Sequence, residues 1–241
     1  MKLVCLLLAA LVEISAAQAP QGTAIHPAVP TVTFDSVWDA ATPQEYVITV
    51  KSDGPSTYLS RSVSRPVQAE EYRQDKRWAE EKPAASSSDE QDPDFHVEFT
   101  MSSATAQRIF KDAEQADYFN GSFDFTKHVV ANTGRKTLTY ADPSRHFQTA
   151  FNFSENKAVN DLAHLFLAIS NTIEFGRKLE FKHKYDKLGL EGDLKAMEDA
   201  MESHNLAELQ IIAPALQSIA NDPSVMNIAR ARAKRLLAKA K

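Results

Sequence analysis

Cysteine is nearly absent from this 241-residue chain: there is one, Cys5, and it lies in the apolar stretch at the start. If that stretch is removed on export, no thiol remains for a disulfide, a nucleophile, a redox centre or a zinc site. Stability must then come from a conventional apolar core. Glycine is also scarce, with seven in all, which disfavours backbone-lined phosphate cradles. The chain contains no Gly-x-Ser-x-Gly nucleophile elbow, no Gly-x-x-x-x-Gly-Lys loop and no Gly-x-Gly-x-x-Gly fingerprint. His-Glu-x-x-His ligand spacing and the acidic calcium loop are missing too, so Asp53-Gly54 reads as a turn. After the first residues no apolar run approaches the roughly 20 needed to span a bilayer. No cofactor, metal or nucleic-acid partner is implied.

The start of the chain reads as a secretory signal peptide. Lys2 supplies the positive n-region, Leu3 to Leu11 the apolar h-region, and Ser15-Ala16-Ala17 a small-residue cleavage site. Cleavage after Ala17 is preferred to cleavage after Ala19, which would leave Pro20 first. Glu13 is a blemish in the apolar run, and Cys5 is too near the start to be a lipid-attachment cysteine. An exported protein is expected, periplasmic or secreted. Freedom from thiols fits a bacterial envelope better than a disulfide-forming secretory pathway.

The 27 basic and 32 acidic residues are unevenly spread. Val67 to Asp94 carries nine acidic and four basic residues, whereas Asp222 to Lys241 carries one acidic and six basic. This pattern gives an acidic middle and a basic tail.

Three parts follow the signal peptide of residues 1–17. Residues 18–44, punctuated by Pro20, Pro27, Pro30 and Pro43, read as an extended lead-in, with Val32, Phe34, Val37 and Trp38 able to dock on a domain. Residues 45–188 read as an α+β domain, a small antiparallel sheet packed by a long helix. Glu45 to Lys51 and Ser56 to Val63 flank the turn Ser52-Asp53-Gly54-Pro55 and predict a hairpin. Residues 64–94 are polar and charged, composition that cannot offset ordering entropy, and read as a flexible acidic insertion. Within it a charged helix around Glu70 to Glu81 would present Tyr72 and Trp78.

A strand at Phe95 to Met101 is followed by a helix capped by Ser102 or Ser103, with Ala106, Ile109, Phe110 and Ala113 on one face. Strands at Lys136 to Ala141 and His146 to Phe153 flank Asp142-Pro143-Ser144-Arg145. Val159, Leu162, Phe166, Ile169 and Ile173 then mark a long amphipathic helix.

Residues 189–241 read as a helical extension. Leu190, Leu194, Met197 and Met201 form one stripe, and Asn205 with Glu208 reads as a capping box for a helix that Pro214 kinks or divides. Asp222-Pro223 reads as the start of a last helix through Val225, Ile228, Ala229 and Leu236.

Tyr46-x-x-x-Val50-x-x-Asp53-Gly54, the helix end from Phe110 to Phe119, and the late strand and long helix through Phe175 carry a resemblance. Over about residues 45–188 the chain resembles a group of bacterial secreted domains of unknown function. The resemblance implies an α+β fold and export, and no catalytic residue. Members often carry cysteines ahead of the first strand, where this chain has none.

The histidines, His26, His96, His128, His146, His164, His183 and His204, are scattered. A site built from His128, His146 and Asp142, or from Asp117 and Asp124 as a carboxylate pair, would have to be assembled by the fold. The basic tail is the stronger feature. Arg230, Arg232, Lys234, Arg235, Lys239 and Lys241 load the end of the final helix, and Arg177 to Lys187 forms a second basic run. These residues, with Tyr72 and Trp78, are the candidate contact surface for an envelope protein or an anionic surface. The leading expectation is a non-catalytic interaction or binding module. The alternative is a hydrolase-like enzyme whose site gathers dispersed histidines and carboxylates.

Overall fold

The computed structural model describes residues 27–61 and 94–240. The signal peptide, the start of the lead-in, Tyr72, Trp78, the rest of the acidic insertion up to residue 93, and Lys241 lie outside the described residues.

Six strands form one antiparallel sheet: β1 (Thr31–Val37), β2 (Glu45–Lys51), β3 (Ser56–Arg61), β4 (Phe95–Phe99), β5 (Arg135–Ala141) and β6 (His146–Phe151), in the order β4-β3-β2-β1-β5-β6. The first four make a meander. The chain then crosses the sheet through helix α1 (Ser103–Gln115) and a 3-10 turn, and adds the β5–β6 hairpin on the far side of β1.

The sheet corrects one expectation. The stretch read as an extended lead-in contains β1, which pairs with β2 on one side and β5 on the other and is therefore central. Its alternation Val32, Phe34, Ser36 buries one face while Thr33 and Asp35 turn away. Prolines on both flanks mark its ends and do not interrupt it.

Helix α2 (Lys157–Tyr185) is capped by Asn156, whose side chain accepts the Val159 N–H at 3.1 Å. Its 29 residues correspond to a rod about 43 Å long. Val159, Leu162, Phe166, Ile169 and Ile173 are all buried on the inner face of the sheet, and Phe166 stacks on Phe34 with centroids 5.0 Å apart. Each such buried side chain contributes about 1.5–3 kcal/mol of apolar transfer.

Beyond the sheet, the end of α2 enters a second core with α3 (Leu190–Glu202), α4 (Ala213–Asn221) and α5 (Asn227–Lys239). Leu179, Leu194, Met197, Leu216, Ile219 and Leu236 meet there. The stripe of Leu190, Leu194 and Met197 is buried as its spacing predicts. Gly176 allows α2 to approach the 3-10 turn at 209–212, since a Cβ there would lie 2.3 Å from Ile212 Cγ2.

Two helix starts differ from the sequence reading. Asn205 and Glu208 form no capping box: Glu208 is left-handed, and its carboxylate reaches instead to the start of α1. Pro214 does divide the segment, with the 3-10 turn before it and α4 starting at Ala213. Asp222-Pro223 does not open the last helix. Asp222 ends α4 and accepts the Ser224 N–H at 2.9 Å, and α5 begins four residues after Pro223, at Asn227. Its carboxylate is drawn into a local turn with Ser224, and Ile228, read as a face residue of the last helix, is exposed.

Candidate functional site

Strand register aligns one inward residue from each strand near one end of the sheet: Phe151, Lys136, Ser36, Tyr46, Ser60 and Phe95. The four central members of this row are polar. The next row, Thr149, Leu138, Phe34, Ile48, Tyr58 and Val97, is apolar at its centre, with the Tyr58 hydroxyl adding to the polar strip over β3. The sheet therefore carries a polar strip beneath α2.

Over β3 that strip is closed by the helix. Tyr58 donates to Glu174 Oε1 at 2.7 Å and Ser60 Oγ donates to the same oxygen at 2.8 Å, with Ser170 Oγ 3.1 Å from the tyrosine hydroxyl. Burial, reinforced by the Glu174 charge, pushes the Tyr58 phenol well above its ordinary range, so it stays a neutral donor.

Over β1 and β5 the helix does not close down, and a cavity of about 460 Å³ remains. Phe34, Tyr46, Phe151, Ala163 and Leu167 give it apolar walls, and the β1–β2 loop with Trp38 and Pro43 forms one side. Tyr46 is 6 % exposed; burial pushes its phenol up to about 12 although a hydrogen bond with Ser36 opposes the shift. Asn160, His164 and Asn171 project from α2 at the rim.

Among the described lining residues Lys136 is the only lysine or arginine, and none carries a carboxylate. Its Nζ donates to the Thr133 carbonyl at 3.2 Å, Thr133 Oγ1 at 3.0 Å and the Asn152 carbonyl at 3.0 Å. All three acceptors are neutral. Burial lowers its pKa, because the charged form is partly stripped of water. Asn152 Oδ1 in turn accepts the Thr133 N–H at 2.8 Å, tying the start of β5 to the end of β6.

Trp38 is fixed by Gly134, which has φ +86°. A Cβ at that position would lie 2.4 Å from Trp38 Cβ and 2.6 Å from the Val37 carbonyl oxygen. Only glycine permits both the backbone angle and the contact.

The basic residues singled out in the tail all lie on α5, apart from Lys241. Arg232 pairs with Glu191 at 3.1 Å and with Glu198, and Arg235 pairs with Glu198 at 2.8 Å. Arg230 donates to the Ala220 carbonyl at 3.4 Å and to Asn227 at 3.3 Å. Lys234 and Lys239 are exposed. Two of the tail's six basic residues, Arg232 and Arg235, are therefore spent on α3, joining the helices of the second core. The run from Arg177 to Lys187 behaves similarly: Lys178 and Lys182 each reach Asp193 at 2.7 Å, and His183 and Lys187 converge on Asp222 at 2.8 and 2.7 Å.

His26 lies outside the described residues, and the structure does not gather the described histidines. His128 packs edge-on against Phe125, whose N–H binds the Phe153 carbonyl just past the end of β6, whereas His146 begins that strand. Asp142 is committed to Ser144, Arg145 and Tyr140. Asp124 holds the Asn152 N–H at 2.9 Å, and Asp117 sits in the left-handed turn after α1, where it accepts from Asn120. Among the described residues no three His, Cys, Asp or Glu side chains are grouped to hold a metal ion.

Sequence reasoning missed the cavity because its residues come from β1, the β1–β2 loop, β5, β6 and α2, each in a chemically unremarkable context. One signal was present. Lys136 lies in phase with Leu138 and Tyr140, the inward positions of β5, so a charge falls where alternation demands an apolar side chain.

The chain matches no protein-family model, no curated protein and no solved structure.

Proposed function

We propose that this is an exported, non-catalytic binding module of the bacterial envelope, and that it binds a small, largely apolar molecule in the cavity between β1, β5 and α2. The cavity itself carries the reading. Its 460 Å³ falls within the range of small-molecule sites, and it is apolar with a few convergent polar groups, the usual composition of such sites. The small side chain of Ala163 on α2 leaves the space that a larger residue would fill. Binding rather than catalysis is favoured because in the hydroxyl–amine pair of the lining, Thr133 and Lys136, the ammonium donates to the hydroxyl and the hydroxyl donates to Asn152 Oδ1, so the amine is not placed to take the hydroxyl proton.

The test uses N-phenylnaphthylamine, a neutral fluorophore that brightens in apolar surroundings. Saturable brightening with one site per chain is expected, and Ala163→Leu should reduce it about tenfold while leaving the melting midpoint unchanged or raised. Brightening that does not saturate, or that is equal in the filled variant, would overturn the proposal.

A further inference from the structure

Among the described residues, a charge without a counter-charge sits in the cavity wall. Lys136 is held by two carbonyls and a hydroxyl, which satisfy its hydrogen bonds but leave its charge unbalanced. Four other clefts on the molecule show the contrast, because each carries both signs: Lys111 with Glu114, Lys239 with Glu208, Arg177 and Lys178 with Glu174, and Arg135 with Asp39. The cavity at Lys136 has an ammonium and no carboxylate among its described lining residues.

An ammonium taken partly out of water loses hydration that neutral acceptors only partly replace. An anion brought to it restores the balance and forms a charge-assisted hydrogen bond, about twice as strong as a neutral one. Thr133 Oγ1 is the acceptor most easily given up, because the hydroxyl keeps its own donation to Asn152 Oδ1 at 3.0 Å when the ammonium leaves. Phe34, Trp38, Phe151 and Leu167 offer apolar surface to a hydrocarbon body, with polar side chains such as Asn160, His164 and Asn171 also in the lining.

Resting on the binding function above, we propose that the ligand is an amphiphile with a single anionic head group, the head meeting Lys136 and the apolar body filling the space between the sheet and α2. A cationic amphiphile is rejected by the same lysine, and a neutral one gains only the apolar contacts.

The proposal is tested by comparing octanoate with octanol, which share a chain and differ in head-group charge, in the full chain near neutral pH. A Trp78→Phe background leaves Trp38, in the cavity wall, as the only tryptophan, excited selectively over the tyrosines. Octanoate should bind about tenfold more tightly than octanol, a difference of about 1.4 kcal/mol. Lys136→Gln should remove that preference by weakening octanoate alone, and Lys136→Arg should keep it. Equal affinity of the two probes for the parent protein would overturn the anionic head while leaving the apolar cavity standing. So would an equal loss of both in a folded Lys136→Gln protein. Failure of both probes and of the neutral fluorophore would remove the binding function as well. If Lys136→Gln does not fold, the comparison of octanoate and octanol on the parent protein decides alone.

Discussion

The Glu208 carboxylate caps Ser102 from 106 residues away, accepting the Ser102 N–H at 2.6 Å and the Ser102 hydroxyl at 2.8 Å. It therefore joins the helical extension to the first helix of the α+β part and supplies an acceptor where α1 has orphan donors. Glu208→Ala should cost about 1–2 kcal/mol, the usual loss for a helix cap. Urea unfolding followed by circular dichroism measures it. A change below about 0.5 kcal/mol, the size typical of neutral surface substitutions, would show that the contact does not couple the two parts.

Gly134 and Trp38 lead to a second prediction. Gly134→Ala places a methyl against Trp38 and the Val37 carbonyl, on a backbone angle of +86° that L-residues avoid. Loss of about 2 kcal/mol or more is expected, together with a red shift of Trp38 emission in the Trp78→Phe background. Unchanged emission would mean that the glycine does not hold that wall of the cavity.

Acid should expose a third property. For Asp222, hydrogen bonds from Lys187, Ser224 and His183 hold the carboxyl below its ordinary range. For Asp142, burial acts to raise the pKa, but the Ser144 N–H and hydroxyl and the Arg145 side chain and N–H outweigh it and leave the carboxyl depressed. A carboxyl with a lower pKa in the folded state contributes stability above its unfolded value, and that contribution is lost as pH falls through the folded value. The melting midpoint should thus hold near neutral pH and fall once pH drops below about 4, the unfolded aspartate value. Asp142→Asn with Asp222→Asn should lower the neutral plateau and flatten the acid limb. Parallel curves for the parent and the double variant would contradict the assignment.

The basic tail gives a fourth. Because Glu198 holds both Arg232 and Arg235, Glu198→Gln should lower the melting midpoint, and added salt should narrow the difference. Lys234→Glu with Lys239→Glu, both exposed positions, should leave the midpoint unchanged. The opposite ranking would return α5 to the role of a free binding surface.

What the sequence revealed follows from the range of the interactions. Alternation in Glu45–Lys51 and the three- and four-residue spacing of Val159 through Ile173 are local signals, and the strands and long helix appear where they predict. Ser102 as the cap of α1 is equally local. Strand β1 was missed because its short alternation lies among prolines and its two partners are set by long-range pairing. Glu208 was misassigned because a nearby Asn205 offered a plausible local partner, while the true one lies 106 residues earlier. The basic residues of α5 look free when read along the chain, since Glu191 and Glu198 meet them only after the helices pack. The cavity is the extreme case: no single segment holds it, and only the inward phase of Lys136 hints at it.

An amide chemical-shift map recorded with and without N-phenylnaphthylamine tests the account most directly. Saturable changes should cluster at Phe34 to Tyr46, Thr133 to Lys136, Phe151 to Ser154 and Asn160 to Asn171, the segments that line the cavity. Changes centred on Lys234 and Lys239, or no saturable change at all, would contradict it.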